Sequence, residues 1–168
     1  MISTEANYIE TLEALYPQQE AASVEVLALA EKAVTEFPNS AKLWCIRGDL
    51  IQLGTSEAKY ELNNALESYE RAIAVDPSFA EAYESIGFFY DAVMDDPESA
   101  EPAFRKAIEF GAGQNSYYGL ARVLAELNQM EEALKILAPE SCPHQDDPDI
   151  KQIKDEIESG MWFNESRA

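Results

Sequence analysis

The sequence predicts an all-α fold, an array of antiparallel helix pairs, and three observations carry that expectation. Trp44, Tyr83 and Tyr117 recur at spacings of 39 and 34 residues, each followed four positions later by a small residue, Gly48, Gly87 or Ala121. Tyr83, Ile86, Gly87 and Tyr90 fall at i, i+3, i+4 and i+7, which is one face of a helix. Asp96 before Pro97 and Glu98, and Asp147 before Pro148, place an acceptor, a proline and a negative charge where helix N-termini favour them. A unit this small cannot bury its apolar face alone, so the period implies stacking on neighbours.

Taken in chain order, Tyr8, Leu12 and Leu15 form the apolar face of a degenerate first helix, and Val26, Ala30, Ala33 and Pro38 a second helix with its closing turn. The next pair carries Trp44, Gly48 and Ile51, then Ala65, Tyr69, Ala72 and Pro77. Between its helices the segment Gly54 to Asn63, with Tyr60 and Leu62, exceeds the 34-residue period and either lengthens the second helix or protrudes as a loop. A third pair begins near Ala80; its second helix buries Ala100, Phe104 and Ala107. Glycine and alanine at the crossings let two helices approach closely. Tyr117, Leu120, Ala121 and Leu124, then Ala133 and Leu137, form the last pair, which breaks at Pro139. From Asp147 a final helix turns Ile150, Ile153 and Ile157 inward and Lys151, Lys154, Asp155 and Glu158 to water, as a cap requires, with Trp162 and Phe163 beneath it.

These residues resemble the tetratricopeptide repeat, whose pattern runs W-x2-L-G-x2-Y, then A-x3-F, then A and P. The copy starting at Tyr83 matches best, with Ala112 in place of the closing proline; the copy starting at Trp44 has Arg47 where leucine is expected. The resemblance implies a right-handed α-α superhelix over residues 1–163 as one domain, with repeats at about 4–38, 41–77, 80–112 and 114–139 and a cap helix at about 147–159. Residues 164–168 are expected to form a disordered tail.

Twelve Lys and Arg against 32 Asp and Glu leave a formal charge of −20 over 168 residues, which disfavours nucleic acid and anionic membrane surfaces. The same field either serves solubility or speeds capture of a basic partner. Glu5, Glu10 and Glu13 occupy the place of a signal peptide's apolar core, and no stretch is apolar enough to span a bilayer. Two cysteines, Cys45 and Cys142, give no disulfide framework, so a reducing cytoplasm is the expected location.

In the tetratricopeptide family the first helix of each pair lines the concave side. The resemblance therefore implies a partner-binding groove from the stripes one residue around from the small packing positions. These are Lys42, Cys45, Asp49 and Gln52; Glu81, Glu84, Phe88 and Asp91; and Asn115, Tyr118, Arg122 and Ala125. Phe88 and Tyr118 either fold back onto the core or anchor a bound segment, and the acidic members either recognise a partner or are a solvated face. Some members of the family hold a C-terminal carboxylate between Lys, Asn and Arg side chains. The matching positions here carry Cys45, Asp49, Ser85, Asn115 and Gly119, or Ile9, Glu13, Ile46, Glu81 and Ser85 in the neighbouring frame, so no cationic clamp is expected.

No catalytic residues are expected, because His144 is the single histidine and neither cysteine has a basic neighbour in sequence. Cys142, His144, Asp146 and Asp147 are metal-ligand types, but an acidic loop is the plainer reading, and no cofactor is expected. The sequence thus points to an adaptor, a protein-protein interaction scaffold that binds a peptide or helical segment of another protein in an acidic concave groove, with a basic partner as one reading of the charge. Two alternatives stay open: a dedicated chaperone for a basic or aggregation-prone client, and a structural module that forms homodimers.

Overall fold

Most of the described helices begin where a side chain accepts hydrogen bonds from otherwise orphaned backbone amides. The computed structural model describes residues 4–17, 21–54 and 59–162. Among them the elements are α1 (Glu5–Ala14), α2 (Val24–Glu36), α3 (Ala41–Gln52), α4 (Leu62–Val75), α5 (Ala80–Phe88), a π-helical stretch (Phe89–Val93), α6 (Pro97–Glu109), α7 (Gln114–Glu126), α8 (Met130–Ile136) and α9 (Pro148–Glu158). Thr4, Ser23, Ser40, Asp96 and Asp147 cap their helices through their side chains, and Glu61 and Asn64 form a reciprocal capping box at α4. The protein is an all-α helical repeat of the solenoid class, whose one β feature among the described residues is an isolated bridge between Ala22 and Gly54. The chain divides into two compact units, Met1–Ser85 and Ile86–Ala168, with the boundary inside α5.

In the first unit α3 packs against α1, α2 and α4. Tyr8 and Leu12, Leu27, Ala30 and Ala33, Leu43 and Leu50, and Ala65, Tyr69 and Ala72 are buried at its centre. Two expectations shift by a residue or a turn: Leu27 rather than Val26 is buried on α2, and Leu15, just past the end of α1, is 48% exposed. At Gly48 the Tyr69 ring occupies the space a Cβ would need, which is why that crossing is so close. The aromatic that marks the period also closes the inter-repeat turn. Trp44 Nε1 donates to the Pro38 carbonyl at 2.9 Å, and Tyr83 Oη donates to the Pro77 carbonyl at 3.1 Å, in each case six residues back.

In the second unit α7 is central, packed against α6, α8 and α9. Ala100, Phe104, Tyr117, Leu120, Ala121, Leu124, Ala133, Leu137, Ile150, Ile153 and Ile157 form one buried cluster, which Cys142 joins from its loop. Six residues before Tyr117 stands Gly111, with φ of 90°, in place of a proline turn, and the Tyr117 ring instead meets His144 edge-on at 5.6 Å. Gln145 Nε2 pins the loop before α9 by donating to the carbonyls of Leu137 at 2.9 Å and Cys142 at 3.0 Å. Trp162 packs on the same cluster and donates to Glu156 at 3.3 Å, whereas Phe163 and the expected tail 164–168 lie outside the described residues.

The regular helix expected through Tyr90 instead widens into the π-helical stretch after Phe88. The wider turn leaves Phe89 and Asp91 buried, at 1% and 6% exposure.

Candidate functional site

In the unit Met1–Ser85, the first-helix stripe is a polar cluster organised from α3. Lys42, in the first turn of α3, reaches Glu13 of α1 at 3.4 Å and Glu81 of α5 at 2.6 Å, so one ammonium ties three helices. Burial alone would lower its pKa; the two carboxylates outweigh that and hold it raised. Two turns further along α3, Asp49 Oδ1 accepts from Tyr69 Oη at 2.8 Å and from Ser85 Oγ at 3.1 Å. Gln52 Nε2 donates to the same Tyr69 oxygen, and Cys45 Sγ lies 3.6 Å from Ser85 Oγ.

Burial raises the Asp49 carboxyl to about 6, although the hydrogen bonds from Tyr69 and Ser85 pull the other way. Burial, reinforced by Asp49, also pushes Cys45 and Tyr69 upward and Tyr16, just beyond α1, to about 12. The Cys45 thiol is therefore protonated and unreactive at neutral pH. The structure thus brings together Lys42, Cys45, Asp49, Gln52 and Glu81, with Glu84 half-buried on α5 nearby in sequence. Ser85 stands beside Cys45 and Asp49 in the sequence only as a clamp-matching position, and the spacing assigns neither Tyr16 nor Tyr69 to this cluster. Tyr69 carries a packing signal in its spacing, and nothing in that spacing reports its hydroxyl.

In the unit Ile86–Ala168, Phe88 meets Phe104 edge-on at 4.9 Å, and both Phe88 and Tyr118 pack against the buried cluster. Asp91, whose side chain is 1% exposed, pairs with Arg122, and Glu126 Oε1 lies 3.9 Å from Arg122 Nε. Burial raises the Asp91 carboxyl and Arg122 opposes that shift. Asn115 is exposed at the start of α7, and Ala125 is buried near its end. No group of three or more metal-ligating side chains occurs among the described residues, and no described helix is long and apolar enough to cross a membrane.

Arg47 accounts for both departures of its repeat. Its Nε donates to Glu31 at 2.8 Å, its Nη1 donates to Ser68 and the Asn64 carbonyl, and its guanidinium lies over the rings of Trp44 and Tyr60 at 5.7 and 5.3 Å. Tyr60 belongs to the lengthened segment and donates to the same Glu31 at 3.2 Å. A leucine at this position could make none of these bonds. Within that segment 55–58 lie outside the described residues, while Leu62 and Asn63 form the start of α4. Arg47→Leu should lower stability by about 1–3 kcal/mol, because Ser68 and Glu31 lose a charged donor. It should also speed tryptic cleavage after Lys59 several-fold. Cleavage at the wild-type rate would show that Arg47 does not hold Tyr60.

A family model described as TPR repeat matches residues 59–91. Anaphase-promoting complex subunit 3 of Schizosaccharomyces pombe is 31% identical over 112 residues, which is 66% of this chain; the chain spans only 16% of that relative's length. A thermophilic TPR protein of Thermus thermophilus is similar in structure, with TM-score 0.63 and 16% identity over 95% of this chain and 82% of that one. YrrB, described as a TPR protein with an unusual peptide-binding site, gives TM-score 0.61 and 19% identity over 98% and 81%. MamA gives 0.60 and 19% over 96% and 77%. With three phased copies of the aromatic and small-residue pattern, the matching repeat model and these shared folds, the chain belongs to the tetratricopeptide-repeat family.

Proposed function

We propose that this protein is a non-catalytic interaction module that holds a segment of another protein along the stripe of its first helices. The observation that carries the reading is the polar cluster of the unit Met1–Ser85. Its side chains bridge α1, α3 and α5 and still present Glu13 and Glu81 at 53% and 56% side-chain exposure. Asn115, Tyr118 and Arg122 are the corresponding contacts of the unit Ile86–Ala168. The peptide-binding site named for YrrB is a precedent within the same fold, and the S. pombe relative is named as a subunit of a multiprotein complex. Asp49 stands at a position where a carboxylate clamp needs a cation, so a basic or neutral segment suits the stripe better than an acidic tail. A formal charge of −20 favours the same partner class.

Site-specific photo-crosslinking tests this. A photoreactive residue at Glu81 or Asn115 is expected to trap the partner in native lysate, and one at Glu70 or Glu109, exposed on the second helices, is not. Trapping from Glu70 or Glu109 alone would move the interface to the other face. The captured partner should dissociate more readily as salt rises.

A further inference from the structure

We infer that Asp49, in the unit Met1–Ser85, receives a lysine or arginine side chain of the partner segment. The inference rests on the reading that the first-helix stripe binds such a segment, and names the chemistry of one contact. Asp49 Oδ1 is fixed by the hydroxyls of Tyr69 and Ser85 at 2.8 and 3.1 Å. Its Oδ2 accepts no hydrogen bond from the described residues, and no described Lys or Arg pairs with it. The nearest cation by chain position, Lys42, is turned instead to Glu13 and Glu81. A carboxylate is thus held in place by two donors to one oxygen, while Lys42 acts on its charge only from a distance and no described cation is paired with it.

Asparagine would accept the same two hydrogen bonds through its own Oδ1 without the desolvation cost of a charge. What aspartate adds over asparagine is negative charge, and a partly buried negative charge with a free oxygen is complementary to a desolvated ammonium or guanidinium. The groups facing it are Tyr16 after α1, Lys42 and Cys45 on α3, Tyr69 on α4, and Glu81 and Ser85 on α5. Of these, Cys45, Tyr16 and Tyr69 are neutral at ordinary pH, and Lys42 is already flanked by two carboxylates. An entering cation therefore meets net negative charge.

The contact also carries a pH signature. Asp49 titrates at about 6 in the free protein, and a bound cation favours its ionised form. Affinity should consequently fall as pH drops from 7.5 to 5, where Asp49 is mostly protonated.

A displayed library of random 12-residue peptides, selected on the full chain at pH 7.5, supplies the probe. The tightest peptide is synthesised, and its Kd is measured by fluorescence anisotropy. The peptide is expected to contain Lys or Arg, to bind Asp49→Asn about tenfold more weakly, and to bind Glu158→Gln, a charge-matched control on the exposed face of α9, within about twofold of wild type. Wild type should lose about tenfold between pH 7.5 and pH 5, and Asp49→Asn should not. Selected peptides that bind Asp49→Asn as tightly as wild type would overturn the inference while leaving the stripe as the binding face. Failure of the library to yield any binder would overturn both. If Asp49→Asn did not fold, a flat wild-type pH profile would be enough to reject the contact.

Discussion

Gly87→Ala should destabilise the protein by about 2 kcal/mol, although an unhindered glycine-to-alanine change inside a helix stabilises by about 1 kcal/mol. A Cβ built at Gly87 falls 2.6 Å from Phe104 Cε1 and 2.7 Å from its Cδ1. The ring cannot retreat. A Cβ at Gly119, on its other flank, would lie 2.5 Å from Phe104 Cζ; Phe88 stands edge-on at 4.9 Å, and the side chain is fully buried. Phe104→Ala alone should cost about 3–5 kcal/mol through the cavity it leaves. In the double variant the alanine at position 87 gains the room the ring gave up, so its penalty should vanish and the propensity gain should reappear. Urea unfolding of the four proteins therefore predicts a coupling of at least about 2 kcal/mol between the two positions. Additive effects, or a single Gly87→Ala variant more stable than wild type, would mean that the ring does not pack on Gly87.

The same crossing shows why so much of the fold could be read from the chain. Gly48 against Tyr69 and Gly87 against Phe104 are size-complementary pairs that recur with the repeat, so packing writes itself into spacing. Caps are legible for a similar reason, since Asp96 and Asp147 act within three residues of their own position. The π-helical stretch Phe89–Val93 was not legible. One extra residue in a turn leaves no compositional trace, and the regular phase that placed Asp91 on an open stripe hides that it is buried against Arg122.

The candidate stripe divides along the same line. Lys42, Cys45, Asp49, Gln52 and Glu81 were reachable from helical phase because α3 and the first turns of α5 are regular. What their phase could not report is the set of partners brought in from other helices. Tyr69 looks like an ordinary core aromatic, yet its hydroxyl links Gln52 to Asp49. Glu13 lies on a worn repeat, and only the fold carries it to Lys42. Arg47 looked like a flaw in the motif, and the compensating signal, Tyr60, sits in the irregular segment that no period covers.

Asp49→Asn should make the free protein more stable than wild type at pH 7.5, by about 2 kcal/mol, while leaving the two nearly equal near pH 4. Asp49 titrates at about 6 in the fold against an ordinary aspartate value of 3.8, a rise of about two units at 1.36 kcal/mol each, reduced somewhat because the group is only partly buried. The folded state therefore holds this proton more tightly than the unfolded chain. The stability it confers is complete below about pH 4 and is lost as pH rises through about 6. Asparagine keeps the acceptor for Tyr69 and Ser85 and has no proton to lose, so the difference between the two unfolding curves isolates the one group. A difference that does not change between pH 4 and 8 would show that Asp49 ionises freely in the fold. The stability gain and the predicted loss of peptide affinity are opposite consequences of one charge. A carboxylate that weakens the free fold at neutral pH fits a residue kept for what it binds, because asparagine would serve packing and hydrogen bonding better.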